Sequence, residues 1–125
     1  MNPFLLIAAG LVLLAGVLHS VLGERLIVRR LSTQGLPDLM GSAEFTKRVL
    51  RLFWQAIGIA WWGLAAVLLV LASLPSLDET AERIATIIAL TFLASSVYAF
   101  LQSRGRHFSW AVFLAIALIT WLGIR

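Results

Sequence analysis

The chain has 125 residues, of which 61% are apolar and 13% are charged, and its formal net charge is +4. Roughly a quarter of the residues in soluble domains are charged, and a soluble fold this apolar would leave large patches exposed to water. The composition therefore excludes a soluble enzyme and a disordered chain. The absence of cysteine excludes a disulfide framework, a thiol nucleophile and an iron–sulfur ligand set. These exclusions leave an integral membrane protein.

Four apolar stretches follow one another along the chain, at residues 3–22, 52–74, 84–103 and 107–124. About 20 helical residues cross a hydrocarbon core roughly 30 Å thick, so each stretch predicts one transmembrane helix. The later connections are short, which makes sequential helices antiparallel neighbours. The predicted fold is an all-α, up-down-up-down four-helix bundle that forms a single transmembrane domain over residues 1–125.

The basic residues predict an orientation for this bundle. Eight of the ten lysines and arginines lie in the 23–51 loop or in the connection around residue 105. The positive-inside rule places both connections in the cytoplasm and both chain ends outside. No basic region precedes the first stretch, so we expect it to be retained rather than cleaved as a signal peptide. Since the basic residues flank the spans, we expect contacts with anionic lipid headgroups and no binding of nucleic acid.

Several residues mark the predicted ends of the helices. Residues 24–31 are expected to extend the first helix, and Ser42 is expected to cap the second. The segment from Ser76 to Glu79 has the form of a capping box for the third helix. Gly105 is expected to end that helix in the left-handed conformation.

One face of the first stretch is small and polar. Its residues follow helical spacing: Gly16, His19, Ser20 and Gly23. Small residues allow another helix to approach closely, so this face is expected to point into the bundle. His19 is then expected to hydrogen-bond Ser20, Glu24 or a hydroxyl of the third helix. Trp54 is assigned instead to an aromatic belt at the cytoplasmic boundary.

Polar residues near the cytoplasmic ends of the predicted helices form a candidate ligand-binding site. The third stretch carries a polar stripe at helical spacing: Thr91, Ser95, Tyr98 and Gln102. An ionisable residue within a span marks a candidate functional site. The candidate ligand-binding residues, all expected at similar depth, are His19, Ser20, Glu24, Tyr98, Gln102, Arg104 and His107.

Several ligands are chemically compatible with these residues. Two histidines could ligate haem, although His107 is close to the headgroup region. His19, Glu24 and His107 could hold a metal, but their spacing matches no recognised motif, and no metal site is predicted. Histidine, tyrosine and arginine donors could bind a quinone or a lipid headgroup. The remaining interpretation is packing alone, without any cofactor.

A small transporter is a further alternative. Small four-helix multidrug exporters carry a membrane-embedded glutamate in the first helix that couples transport to protons. In this chain every carboxylate lies near the end of an apolar stretch, and no inverted repeat is evident. Both features argue against a proton-coupled exporter.

Two segments, 19–25 and 103–110, resemble segments of small bacterial inner-membrane proteins with four predicted helices. Their sequences are HSVLGER and SRGRHFSW. The resemblance implies a multi-pass protein of the bacterial inner membrane and brings no activity or site residue. We therefore expect a protein without catalytic residues that acts as an oligomer or as an accessory subunit of a larger complex. Its expected partners are the lipid bilayer and other membrane-protein subunits or further copies of itself.

Overall fold

The computed structural model describes residues 1–38 and 41–125, and in these residues the architecture is all-helical. Four helices follow one another: α1 (Pro3–Thr33), α2 (Ala43–Ser73), α3 (Glu79–Ser103) and α4 (Ser109–Ile124). The first three are long and apolar enough to span a membrane, by length and composition. The prediction of four helices is therefore confirmed.

The fourth helix is shorter than its apolar stretch predicts. It has 16 residues and begins at Ser109 rather than at residue 107. The turn after α3, in which Arg104 and Gly105 have positive φ angles of 50° and 73°, is followed by non-helical residues as far as Phe108, the N-cap of α4. At 1.5 Å per residue, α4 is about 24 Å long, which is less than the roughly 30 Å of a hydrocarbon core.

Helix α1 continues beyond its apolar stretch, as the sequence predicts for residues 24–31. It is α-helical over Pro3–Leu22, π-helical over Gly23–Val28 and α-helical again over Arg29–Thr33. A π turn has i→i+5 hydrogen bonds and often occurs at functional sites. No feature of the sequence predicted this turn.

Two of the three predicted helix-capping residues have the predicted role in the structure. The Oγ atom of Ser42 accepts the Phe45 amide at 3.1 Å, and Gly105 has the expected positive φ. The start of α3 differs from the predicted capping box. Its N-cap is Asp78, whose carboxylate accepts the Ala81 amide at 2.8 Å. Asp78 has the extended backbone that an N-cap requires, so the cap lies two residues after Ser76.

The helices divide into two compact units, which are described separately. The first unit comprises Met1–Leu13 and Gly63–Arg125. Its largest fully buried side chains are Phe92, Leu5, Leu68, Ile116, Val12 and Thr120. Buried alanines alternate with these residues on the inner helix faces and allow close packing.

Polar contacts also join the helices of the first unit. The Asn2 side-chain amide donates to the Gly123 carbonyl at 2.6 Å, and the Asn2 backbone amide donates to the Ala72 carbonyl at 2.8 Å. The buried Ser96 hydroxyl of α3 donates to the Trp110 carbonyl of α4 at 2.7 Å. The Ser96 bond satisfies a polar group that is buried among apolar side chains, and the two Asn2 bonds tie the start of the chain to the ends of α2 and α4.

Candidate functional site

The second unit, Leu14–Trp62, contains the small and polar face of α1. A Cβ atom on any of three glycines would collide with the opposite helix, which shows how closely α1 and α2 approach. The residues in contact are Gly16 with Trp62, Ser20 with Gly58, and Gly23 with Trp54. The positions rise along α1 as they fall along α2, as in antiparallel helices. The prediction that this face packs against another helix is confirmed.

His19 lies between two indole rings of α2. Its imidazole is stacked on Trp54, with ring centroids 4.8 Å apart and planes inclined by 3°. The Trp61 ring lies 5.0 Å away and is tilted by 54°. We call these three residues the His19 stack. Aromatic contacts of this kind stabilise a packed interface beyond the apolar area that they bury.

Two reciprocal hydrogen bonds accompany the His19 stack. The Trp54 Nε1–H donates to the His19 carbonyl at 3.0 Å, and His19 Nε2 lies 3.2 Å from the Trp54 carbonyl. A carbonyl oxygen only accepts, so Nε2 carries the proton in this bond. The prediction that His19 bonds Ser20, Glu24 or a hydroxyl of the third helix is therefore wrong for Nε2, whose partner is the Trp54 carbonyl. A neutral His19 retains only Nδ1 as an acceptor or ligand atom.

Glu24 is held by Arg51 of α2, a residue that the sequence did not single out for this role. The guanidinium donates two hydrogen bonds to the carboxylate, from Nε at 3.1 Å and from Nη2 at 2.6 Å. Bidentate pairs of this type are strong and fix the orientation of both groups. Glu24 lies in the π-helical turn, so this ion pair fastens that turn to α2.

The other four candidate ligand-binding residues belong to the first unit. Tyr98 and Gln102 are exposed on α3, and Arg104 is exposed in the following turn. His107 is exposed as well, and its Nδ1 atom accepts the Ser109 amide at 3.3 Å, close to the start of α4. A site shared by His19 and His107 stays a prediction. Within residues 1–38 and 41–125, no group of three His, Asp or Glu side chains could hold a metal ion.

A basic cleft lies in the second unit, beside the end of α1 and the start of α2. Its volume is about 270 Å³, and its lining residues are Arg29, Ser32, Thr33, Lys47 and Arg51. The two hydroxyls donate to helix carbonyls, Ser32 to Val28 at 2.7 Å and Thr33 to Arg30 at 2.8 Å. Three cations from two helices therefore line one small cleft. The sequence placed these residues on the same side of the membrane but did not predict that they share a cleft.

The His19 stack and the basic cleft differ in chemistry. The stack joins two helices through aromatic contacts and hydrogen bonds to backbone carbonyls, whereas the cleft presents positive charge. No protein-family model, curated protein or solved structure matches this chain. The functional conclusion therefore follows from the chemistry of its own side chains.

Proposed function

We propose that this chain is a multi-pass membrane protein that acts by lateral association, as an oligomer or as an accessory subunit of a larger complex in the bacterial inner membrane. The observation that carries the proposal is the outward surface of the long helices. In each of α1, α2 and α3, only 28% of the most apolar 18-residue segment is buried within the chain. The remaining apolar surface suits contact with lipid tails and with neighbouring membrane helices.

The polar stripe of α3 supports association with another protein rather than with lipid alone. Thr91 and Gln102 are exposed, and Tyr98 is 67% exposed, all on one face of an apolar helix. The Thr91 hydroxyl donates to the Ile87 carbonyl at 2.8 Å, but Tyr98 and Gln102 have no hydrogen-bond partner among the described residues. Polar side chains in a membrane are stabilised by interhelical hydrogen bonds. A second helix on this face would supply them.

The proposed arrangement in the membrane is an up-down-up-down bundle with both chain ends in the periplasm. It is supported by the distribution of basic residues, because eight of the ten lie at the end of α1, at the start of α2 or in the connection before α4. Helix α4, although short, could complete a fourth crossing with little tilt where the bilayer thins around it.

We expect a reporter that is active only in the periplasm to give signal when it is fused after Arg125. The same reporter inserted at Gly35, between α1 and α2, should be silent, because the helix ends that flank this connection carry the excess of positive charge. Reporter activity in whole cells measures both fusions. The opposite pattern would refute the orientation, and equal activity at both sites would refute the three crossings proposed between them.

Lateral association is tested by photocrosslinking at Tyr98 in native membranes. A photoreactive residue at this position should form adducts with protein, because the polar face of α3 is the proposed contact. The control position is Leu118 of α4, which is 54% exposed but apolar, and it should form adducts mainly with lipid. Mass spectrometry of the adducts distinguishes a second copy of the chain from another subunit. Lipid adducts alone at both positions would contradict the proposal.

A further inference from the structure

We propose that the basic cleft binds a phosphate group, carried by an anionic lipid headgroup or by a free phosphate. The first support is the number and convergence of its cations. Arg29 at the end of α1 and Lys47 and Arg51 near the start of α2 line the same cleft of about 270 Å³. Like charges that converge in a small space repel one another unless an anion lies between them.

The second support is that the nearby carboxylates pair with only one of the three cations in the cleft. Glu24 is bonded to Arg51, and Glu44 is paired with Arg48 at 3.5 Å. No ion pair involves Arg29 or Lys47 among the described residues, and no carboxylate lines the cleft. The cleft thus keeps positive charge that the chain itself does not neutralise, which favours an anion.

The third support is the orientation of Arg51. Its Nε and one Nη2 hydrogen are used by Glu24, which leaves the Nη1 hydrogens available as donors. Because Glu24 fixes the guanidinium plane, less side-chain entropy is lost when an anion binds. The arginine can therefore hold its ion pair and donate to a phosphate oxygen at the same time.

The size of the cleft limits the ligand. Sites for drug-sized ligands have volumes of roughly 300–1,000 Å³, so about 270 Å³ suits a small anion or one headgroup better than a complete cofactor. The hydroxyls of Ser32 and Thr33 already donate to backbone carbonyls. Recognition therefore depends on the three cations, and arginine and lysine form strong charge-assisted hydrogen bonds with phosphate oxygens.

The depth of the cleft favours a lipid source, and this step rests on the proposed membrane location. Arg29 lies seven residues beyond the apolar stretch of α1, and Lys47 lies five residues before that of α2. At 1.5 Å per residue, these offsets are about 10 Å and about 8 Å. The headgroup layer extends for roughly 5–8 Å beyond the hydrocarbon core on each side. Lys47 would thus lie at the outer edge of the headgroup layer and Arg29 just beyond it, and their long side chains would reach the depth of lipid phosphates.

The test measures binding to the full chain purified in an uncharged detergent. Three soluble probes are titrated by calorimetry: a short-chain phosphatidylglycerol, a short-chain phosphatidylcholine and inorganic phosphate. We expect saturable binding of phosphatidylglycerol and weaker or absent binding of phosphatidylcholine, whose headgroup has no net charge. Inorganic phosphate that binds as tightly as phosphatidylglycerol would identify a free phosphate as the source. No saturable binding of any phosphate probe would overturn the proposal.

Matched variants separate the cleft from general attraction to a basic protein. Lys47→Gln and Arg29→Gln should each weaken binding about tenfold, because each removes a charge-assisted hydrogen bond. Lys47→Arg keeps the charge and should retain binding. The control is Arg48→Gln, which removes the same charge from the adjacent residue, whose side chain is 74% exposed and does not line the cleft. Its affinity should change by less than about threefold, since exposed charges outside the site are largely screened.

An equal loss of affinity in Arg48→Gln and Lys47→Gln would overturn the proposal, because the attraction would then belong to the whole basic surface. Circular dichroism of each variant shows whether its helices are intact. Binding in detergent does not depend on lateral association, and crosslinking at Tyr98 does not depend on the basic cleft. Failure of this inference is therefore distinguishable from failure of the proposed function.

Discussion

Replacement of Gly23 by alanine should separate the C-terminal part of α1 from the N-terminal half of α2. A Cβ atom at Gly23 would overlap the Trp54 indole, which is itself held by stacking on His19 and by a hydrogen bond to its carbonyl. Overpacking of this kind destabilises a fold by about 1–3 kcal/mol, and by more when the neighbour cannot move. Thermal unfolding in detergent should show the loss of stability, and the tryptophan fluorescence of the chain should shift as the Trp54 indole leaves its site.

The matched control for this change is Gly10→Ala in the same helix. No atom lies within 4 Å of a Cβ atom at Gly10, so the added methyl group meets open space. Alanine in a helix is more favourable than glycine by roughly 0.5–1 kcal/mol, and Gly10→Ala should therefore be neutral or slightly stabilising. If both variants unfolded at the same temperature as the parent chain, the close approach at Gly23 would be refuted.

Removal of the Trp54 side chain should have the second large effect. Trp54→Ala deletes the ring stacked on His19 and the donor to the His19 carbonyl, and it leaves a void beside Gly23. We expect a loss of about 3 kcal/mol, the low end of the range for Trp→Ala, because Trp54 is only half-buried. Trp54→Phe keeps a ring but not the donor, so it should recover part of that loss. Denaturation in detergent measures all of these variants.

A double-mutant cycle assigns part of this effect to the His19 stack. His19→Leu alone should cost about 0.6–2 kcal/mol, the range for interhelical hydrogen bonds in membranes. In the double variant the two losses should not add, with a coupling energy of at least about 0.5 kcal/mol, because both residues share the same contacts. Additive losses would show that His19 and Trp54 stabilise the fold independently.

Much of the helix pairing was predictable because it depends on spacing within one helix. Gly16, His19, Ser20 and Gly23 share a face by helical geometry alone. That face packs against another helix, as predicted, and the structure identifies this helix as α2. The helix caps were equally local, although the sequence predicted a capping box that starts at Ser76 and the structure has Asp78 as the N-cap of α3. Only the backbone angles decided for Asp78.

The partners of the site residues were not predictable in the same way. His19 donates to a backbone carbonyl, and carbonyls occur at every position, so no residue type marked Trp54 as the acceptor. The sequence suggested an aromatic belt for Trp54, yet its ring packs on α1. Which cations line the basic cleft depends on the rotation of α1 beyond Leu22, and the sequence carried no sign of the π turn that sets it.

The π turn at Gly23–Val28 shifts the helical phase between two parts of α1. It adds one residue to a turn, so every later side chain points about 100° away from its direction in an uninterrupted α-helix. The small and polar face ends at Gly23, Val28 is buried within the turn, and Arg29 follows directly after it. A one-residue deletion within the turn could restore a uniform helix. The contacts of Gly16 and Ser20 with α2 would then stay intact, and Arg29 would point away from the basic cleft. The turn thus sets the direction of the basic side chains that follow it separately from the small and polar face that precedes it.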